Sequence, residues 1–205
     1  MELISFETLL SIGAGLGLAA ACGFRVFVPL LVMSVASLSG HLTLSAEFAW
    51  IASYPALVAF LVATILEILG NAIPAVGATL NSLATPISMI AGTIATAACI
   101  TSMSPFMKWS LAIMAGGGAA GVVQGATIAL RVPAHAAAPG VADTGVSAGE
   151  AGSSFILSVL AIILPILALI TVVIGLIVIL WFSKILYSRW CVWRSSGKAK
   201  KVNNE

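Results

Sequence analysis

Two charged residues stand where charge is costly. Arg25 lies deep in an apolar run covering residues 6–38, and Glu67 lies within a second run covering residues 50–72. An ionised side chain near the centre of a bilayer costs on the order of 3 kcal/mol even on lenient scales, so it has a partner or a purpose. Polar residues accompany the pair at helical spacing. Thr64, Glu67 and Asn71 fall on one helix face, and Gln124, Thr127 and Arg131 repeat that spacing. Asn81, Thr85, Ser88 and Thr96 make a stripe on a third run. Stripes turned to lipid would leave amides unsatisfied, so they are expected to face one another. The expected result is a polar cavity of Arg25, Glu67, Asn71, Asn81, Gln124 and Arg131. Two chemistries stay open. One is an Arg25–Glu67 ion pair with amides as interhelical glue. The other is a cavity that binds a solute or ion, preferring an anion or zwitterion where Arg25 is only partly neutralised. Desolvation offsets much of the attraction in a buried ion pair, which favours the second.

The elements that must position these residues are transmembrane helices. Of 205 residues, 60% are hydrophobic and only 8% charged, and the mean hydropathy is +1.15. A soluble domain carries roughly 25% charged residues. The composition excludes a soluble enzyme, a disordered chain and a nucleic-acid binder. It predicts an all-α, polytopic transmembrane bundle of five to six spans. One transmembrane domain covers residues 1–183, and a basic cytoplasmic tail covers residues 184–205. The tail holds six basic residues against Glu205, whereas the preceding residues hold three basic against six acidic. Clustered Lys and Arg beside a span mark the cytoplasmic side and could also hold anionic lipid.

The run 6–38 is too long for one relaxed helix across ~30 Å of hydrocarbon. It is interrupted near Gly23, with Arg25 and Pro29 just beyond. It is either a single broken span or a hairpin with its tip near Gly23. Further spans are expected at 50–72, 80–103, 109–130 and 155–181, the last kinked at Pro165. Residues 131–154, rich in Ala, Gly and Pro, read as a loop. Counting back from a cytoplasmic C-terminus through one last span puts that loop, and with it the cavity, toward the outside.

Small residues at four-residue spacing form helix edges that let backbones approach closely. Gly13 with Gly17, and Gly117 with Gly121 and Gly125, are the expected packing edges. No cofactor is indicated. Three cysteines without a CxxC, and two histidines without ligand-spaced partners, indicate neither a disulfide framework nor a metal site. Ala19–Cys22 faintly resembles a lipoprotein cleavage box, but Glu2 and Glu7 stand where a signal peptide needs basic residues. Signature motifs of hydrolases, metalloproteases and phosphate loops are missing, so no enzyme is expected.

Several blocks carry a family resemblance. They are Ala20-Ala21-Cys22-Gly23-Phe24-Arg25-Val26-Phe27-Val28-Pro29, the stretch around Trp50, Tyr54 and Pro55, Glu67-Ile68 with Ile73-Pro74, Ala84-Thr85-Pro86, and Trp109 through Gly116-Gly117-Gly118. Over residues 5–180 the chain resembles the bacterial integral membrane family known as domain of unknown function 4126. The resemblance implies a multi-pass protein of the bacterial inner membrane and no established activity. It also implies acidic residues after the Ile-Pro turn, where this chain has Gly77, Ala78 and Asn81. The expectation that follows is a small-solute or ion transporter or channel with an outward-facing cavity. The alternative is a non-transporting membrane protein, lipid-handling or structural, that packs through its glycine faces. The lipid bilayer is the expected partner in either case, with a small molecule or ion as cargo and a homo-oligomer as the assembly.

Overall fold

Every regular element among the described residues is helical. The computed structural model describes residues 5–72, 74–137 and 141–179, with positions 181 and 184. The side chains of residues 72–82 and 132–144, and most of the basic tail, lie outside the described residues. In chain order the elements are α1 (Phe6–Cys22), α2 (Phe27–Leu38), a 3-10 segment (Ala46–Ala52), α3 (Tyr54–Ala72) and α4 (Pro74–Cys99). Then come α5 (Pro105–Leu111), a π segment (Ala112–Gly117), α6 (Gly118–Ala137), α7 (Val141–Ile163) and α8 (Pro165–Ile179). Among the described residues, three stretches are long and apolar enough to cross a membrane: Tyr54–Asn71, Pro105–Arg131 and Gly145–Ile163.

The first apolar run is a hairpin. Ser5 caps α1 by accepting from the Thr8 N–H at 3.2 Å, and Glu7 in the first turn suits the positive end of the helix dipole. The helix stops at Gly23. Pro29 has no N–H and its ring would clash with the Arg25 carbonyl in a continuous helix, but it is tolerated in the first turn of α2. The path of α2 then returns beside α1. The Ser45 N–H donates to the Ala98 carbonyl at 2.8 Å, and Thr8 Oγ1 lies 3.0 Å from Ser102 Oγ. The start of α1 and the exit of α2 therefore meet the same end of α4. We call this the Ser102 end, and the opposite one the Arg131 end.

Helix α1 is the centre of the bundle, and glycine lets it be. A Cβ on Gly15 would lie 3.0 Å from Thr96 Cα of the antiparallel α4. Thr96 Oγ1 donates to the Gly15 carbonyl at 3.2 Å across that contact. On another face, a Cβ on Gly17 would lie 2.6 Å from Ala161 Cβ and 3.1 Å from Ala168 Cβ.

That last contact corrects the expected single final span. A continuous helix would hold Ala161 and Ala168 about 10 Å apart, yet both touch the same point of α1. The chain folds back at Leu164-Pro165. Helix α7 runs antiparallel to α1, with Ser154 Oγ donating to the Ala21 carbonyl at 2.9 Å. Helix α8 runs back beside it, and Val172 and Ile179 join Ala20 and Phe24 in one apolar cluster. A second hairpin thus enters from the Arg131 end, inverted relative to the first. The expected loop 131–154 is also corrected. Helix α6 continues to Ala137 and α7 begins at Val141, leaving residues 138–140 between them, outside the described residues.

The packing edges are partly as expected. Gly13 and Gly17 seat the second hairpin. Gly117 lies against Thr93, and Gly121 against Met89, on α4. Gly125 meets nothing within 4 Å, since residues four apart drift by about 40° per step around a regular helix. The closest approach of α4 to the α5–α6 rod instead uses Gly92 and Gly116, where a Cβ on Gly116 would lie 2.8 Å from the Gly92 carbonyl.

Candidate functional site

The broken tip of the first hairpin leaves backbone groups without helical partners, and α3 supplies one. Val26 offers no side-chain cap to α2. The Glu67 carboxylate takes that role from another helix. Its Oε1 accepts from the Val26 N–H at 2.9 Å, and its Oε2 accepts from the Phe27 N–H at 3.2 Å. Orphan N–H groups at a helix N-terminus favour an anion for both hydrogen-bonding and dipole reasons. The expected Arg25–Glu67 side-chain ion pair is therefore not formed, because the carboxylate is already engaged.

Arg25 turns elsewhere. It is 2% exposed. Its Nη1 donates to the Glu67 backbone carbonyl and its Nη2 to the Ser147 carbonyl, both at 3.3 Å. Its Nε lies 3.6 Å from Glu150 Oε2. Glu150 is shared: Arg131 donates from Nε to Oε1 at 2.8 Å, and its Nη2 contacts Oε2. The fork geometry is the strong, bidentate kind. Two guanidiniums thus converge on one buried carboxylate, and Glu67 beside them brings the local formal charge to two positive and two negative.

Beside this cluster is a cavity of about 300 Å³. Arg25, Glu67, Asn71, Gln124 and Arg131 all line it, among apolar walls from Phe24, Phe27, Ala63, Leu66, Ala84 and Ile87. Five of the six residues expected to share a cavity are brought together. Asn81 lies on α4, but its side chain is outside the described residues. The hydroxyl stripes serve packing. Thr64, Ser88 and Thr127 each donate to a carbonyl of the preceding turn, which satisfies them without a ligand. Three buried polar atoms have no hydrogen-bond partner among the described residues: Arg25 Nε and Asn71 Oδ1 at the cavity, and Ser147 Oγ beside it.

Glu150 is the cluster residue that the sequence reading leaves in the 131–154 loop. A signal was present, since Ser147, Glu150, Ser154 and Ser158 share one helix face. Glu150, Ser154 and Ser158 are buried and Ser147 is half-buried. The surrounding Ala and Gly residues masked the period.

The match to a known family follows the same chain length. The family model described as Domain of unknown function (DUF4126) matches residues 12–184. The chain belongs to this family. The matched region contains the first hairpin from residue 12 onward, the whole second hairpin and every residue of the cluster. No curated protein and no solved structure matches the chain.

Proposed function

We propose that this is a multi-pass membrane protein that binds an anionic solute in the Arg25–Arg131 cavity and carries it across the bilayer. In this reading α3, α4 and the α5–α6 rod cross fully, and the two hairpins enter from opposite faces. Discontinuous helices of opposite entry, meeting beside charged residues, are how many carriers build their sites. The observation that carries the reading is that two guanidiniums share the single carboxylate of Glu150 on an apolar-walled cavity. Glu67 balances the formal charge, but its carboxylate is tied to the Val26 and Phe27 N–H groups, which supports a role for the guanidinium donors in holding an anion.

The direction of α8 supports an assignment of sides. It ends at the Arg131 end, and by the positive-inside rule the basic residues that follow it in sequence favour a cytoplasmic location for that end. The cavity then lies in the cytoplasmic half, opposite to the side counted from one last span. The Ser102 end carries a single described lysine, Lys108, which is neutralised by Glu47 at 2.7 Å. The bacterial inner membrane is the compartment the family resemblance implies. The glycines that a purely structural subunit would offer a partner are engaged inside the chain at Gly13, Gly17, Gly117 and Gly121, which weighs against the packing alternative.

The test is flux in proteoliposomes, with inorganic phosphate and water-soluble dihexanoyl phosphatidic acid as probes. Wild type is expected to move at least one probe faster than protein-free vesicles, and folded Arg131→Gln to move neither. Equal rates with and without protein would overturn the proposal.

A further inference from the structure

The cavity opens sideways. Of its wall residues, Leu66 on α3 is 63% exposed and Ile87 on α4 is 42% exposed. Their outward neighbours Ile65, Leu69, Leu83 and Ile90 are apolar and exposed, a surface that hydrocarbon covers without cost. Glu67 lies 13 residues beyond Tyr54, about 20 Å along the helix at 1.5 Å per residue. In a hydrocarbon layer of about 30 Å, the charged floor is then about 10 Å from the nearer surface. A ligand entering between α3 and α4 comes from the bilayer.

Two atoms define the head of that ligand. Among the described residues, Arg25 Nε faces Glu150 Oε2 at 3.6 Å but makes no hydrogen bond, and Asn71 Oδ1 is a buried acceptor without a donor. Buried polar groups are rarely left so. An anionic oxygen suits the first, and a hydroxyl or ammonium suits the second. Resting on the anion-binding reading above, we infer that the ligand is a membrane-borne amphiphile with a phosphate head that also carries a hydrogen-bond donor. Its chains stay in the bilayer and pass through the slot between Leu66 and Ile87, which the small side chains of Ala63 and Ala84 keep open. The protein then carries a lipid head through the bilayer rather than a solute from water.

Native mass spectrometry of the full chain in detergent tests this. The probes are dioleoyl phosphatidic acid, dioleoylglycerol as its uncharged counterpart, and inorganic phosphate. Four proteins are compared: wild type, Arg131→Gln, Leu66→Trp, and a full-length variant with Lys198, Lys200 and Lys201 changed to Gln. Wild type is expected to retain phosphatidic acid and not dioleoylglycerol, and a hundredfold excess of inorganic phosphate is expected to leave the lipid bound. Arg131→Gln, which leaves Arg25 neutralised by Glu150, is expected to weaken retention about tenfold or more, equivalent to ~1.4 kcal/mol. Leu66→Trp, which narrows an exposed slot without touching the charged floor, is expected to weaken lipid retention similarly. If inorganic phosphate binds and the lipid does not, the anion site stands and the lipid inference falls. If neither binds, both fall. If retention is lost only in the tail variant, the lipid is held by the tail and the inference is overturned.

Discussion

Changing Glu67 to Gln separates the capping role from a ligand role. The carboxylate accepts two backbone N–H bonds, at 2.9 and 3.2 Å, from the start of α2. A glutamine of the same length keeps one acceptor, but its amide would set a donor against the second N–H. Hydrogen bonds to a charged group contribute about 1.5–3 kcal/mol each. A carboxylate at a partly buried helix N-terminus adds up to ~2 kcal/mol. One bond lost and one weakened give an expected destabilisation of about 2–4 kcal/mol. For a chain of this size each kcal/mol moves the melting temperature by roughly 2–4 °C. Buried Cys22, at the end of α1 beside the tip, provides the readout. In a Cys191→Ser background, a thiol-reactive fluorophore should label Glu67→Gln at a temperature lower by several degrees. Below that temperature the variant should still bind anions, because Arg25, Arg131 and Glu150 are intact and one negative charge has gone. An unchanged melting temperature together with lost anion binding would refute the capping argument and make Glu67 a ligand.

Three further substitutions probe the same framework. Glu150→Gln leaves two guanidiniums without a carboxylate and should cost about 3–5 kcal/mol, as removal of one partner from a buried pair does, read as earlier thiol labelling. Gly17→Leu must displace Ala161 and Ala168 at contacts already below 3.2 Å for the Cβ alone. It should cost about 1–3 kcal/mol or more by overpacking, whereas Gly125→Ala, in open space, should stabilise by up to about 1 kcal/mol through helix propensity. Lys108→Met removes the ion pair with Glu47, whose side chain is half exposed. Lys108 itself is buried, but methionine fills its space and Glu47 regains water, so the cost should stay within about 1 kcal/mol, a melting-temperature change of no more than about 4 °C.

Much of the site was legible in the sequence because charge inside an apolar run is rare and helical spacing is regular. Arg25, Glu67, Asn71, Gln124 and Arg131 were marked by those two facts alone, and they line one cavity. The partner choice was not legible. Spacing cannot show that Val26 and Phe27 would claim the Glu67 carboxylate, since that demand arises from a helix start on another element. The break at Gly23 was visible, and its resolution as a hairpin needed the contacts of Ser45 and Thr8 with α4. Pro165 was read as a kink because one proline inside an apolar run gives no sign of how far the chain turns. What decides it is the double contact of Gly17 with Ala161 and Ala168, a tertiary fact. Residues 131–154 read as a loop on Ala and Gly content, yet α7 turns Glu150, Ser154 and Ser158 inward and leaves Gly145, Gly149 and Gly152 in open space.

The central claim is that two arginines sharing Glu150 leave the cavity able to hold an anion. Thermal unfolding of wild type and Arg131→Gln against dihexanoyl phosphatidic acid tests it most directly. A ligand that binds only the folded state stabilises it by about 2.7 kcal/mol at a hundredfold excess over Kd. Wild type should melt progressively later as the ligand is added, while folded Arg131→Gln should not respond. Equal shifts in both proteins, or no shift in wild type, would contradict the account.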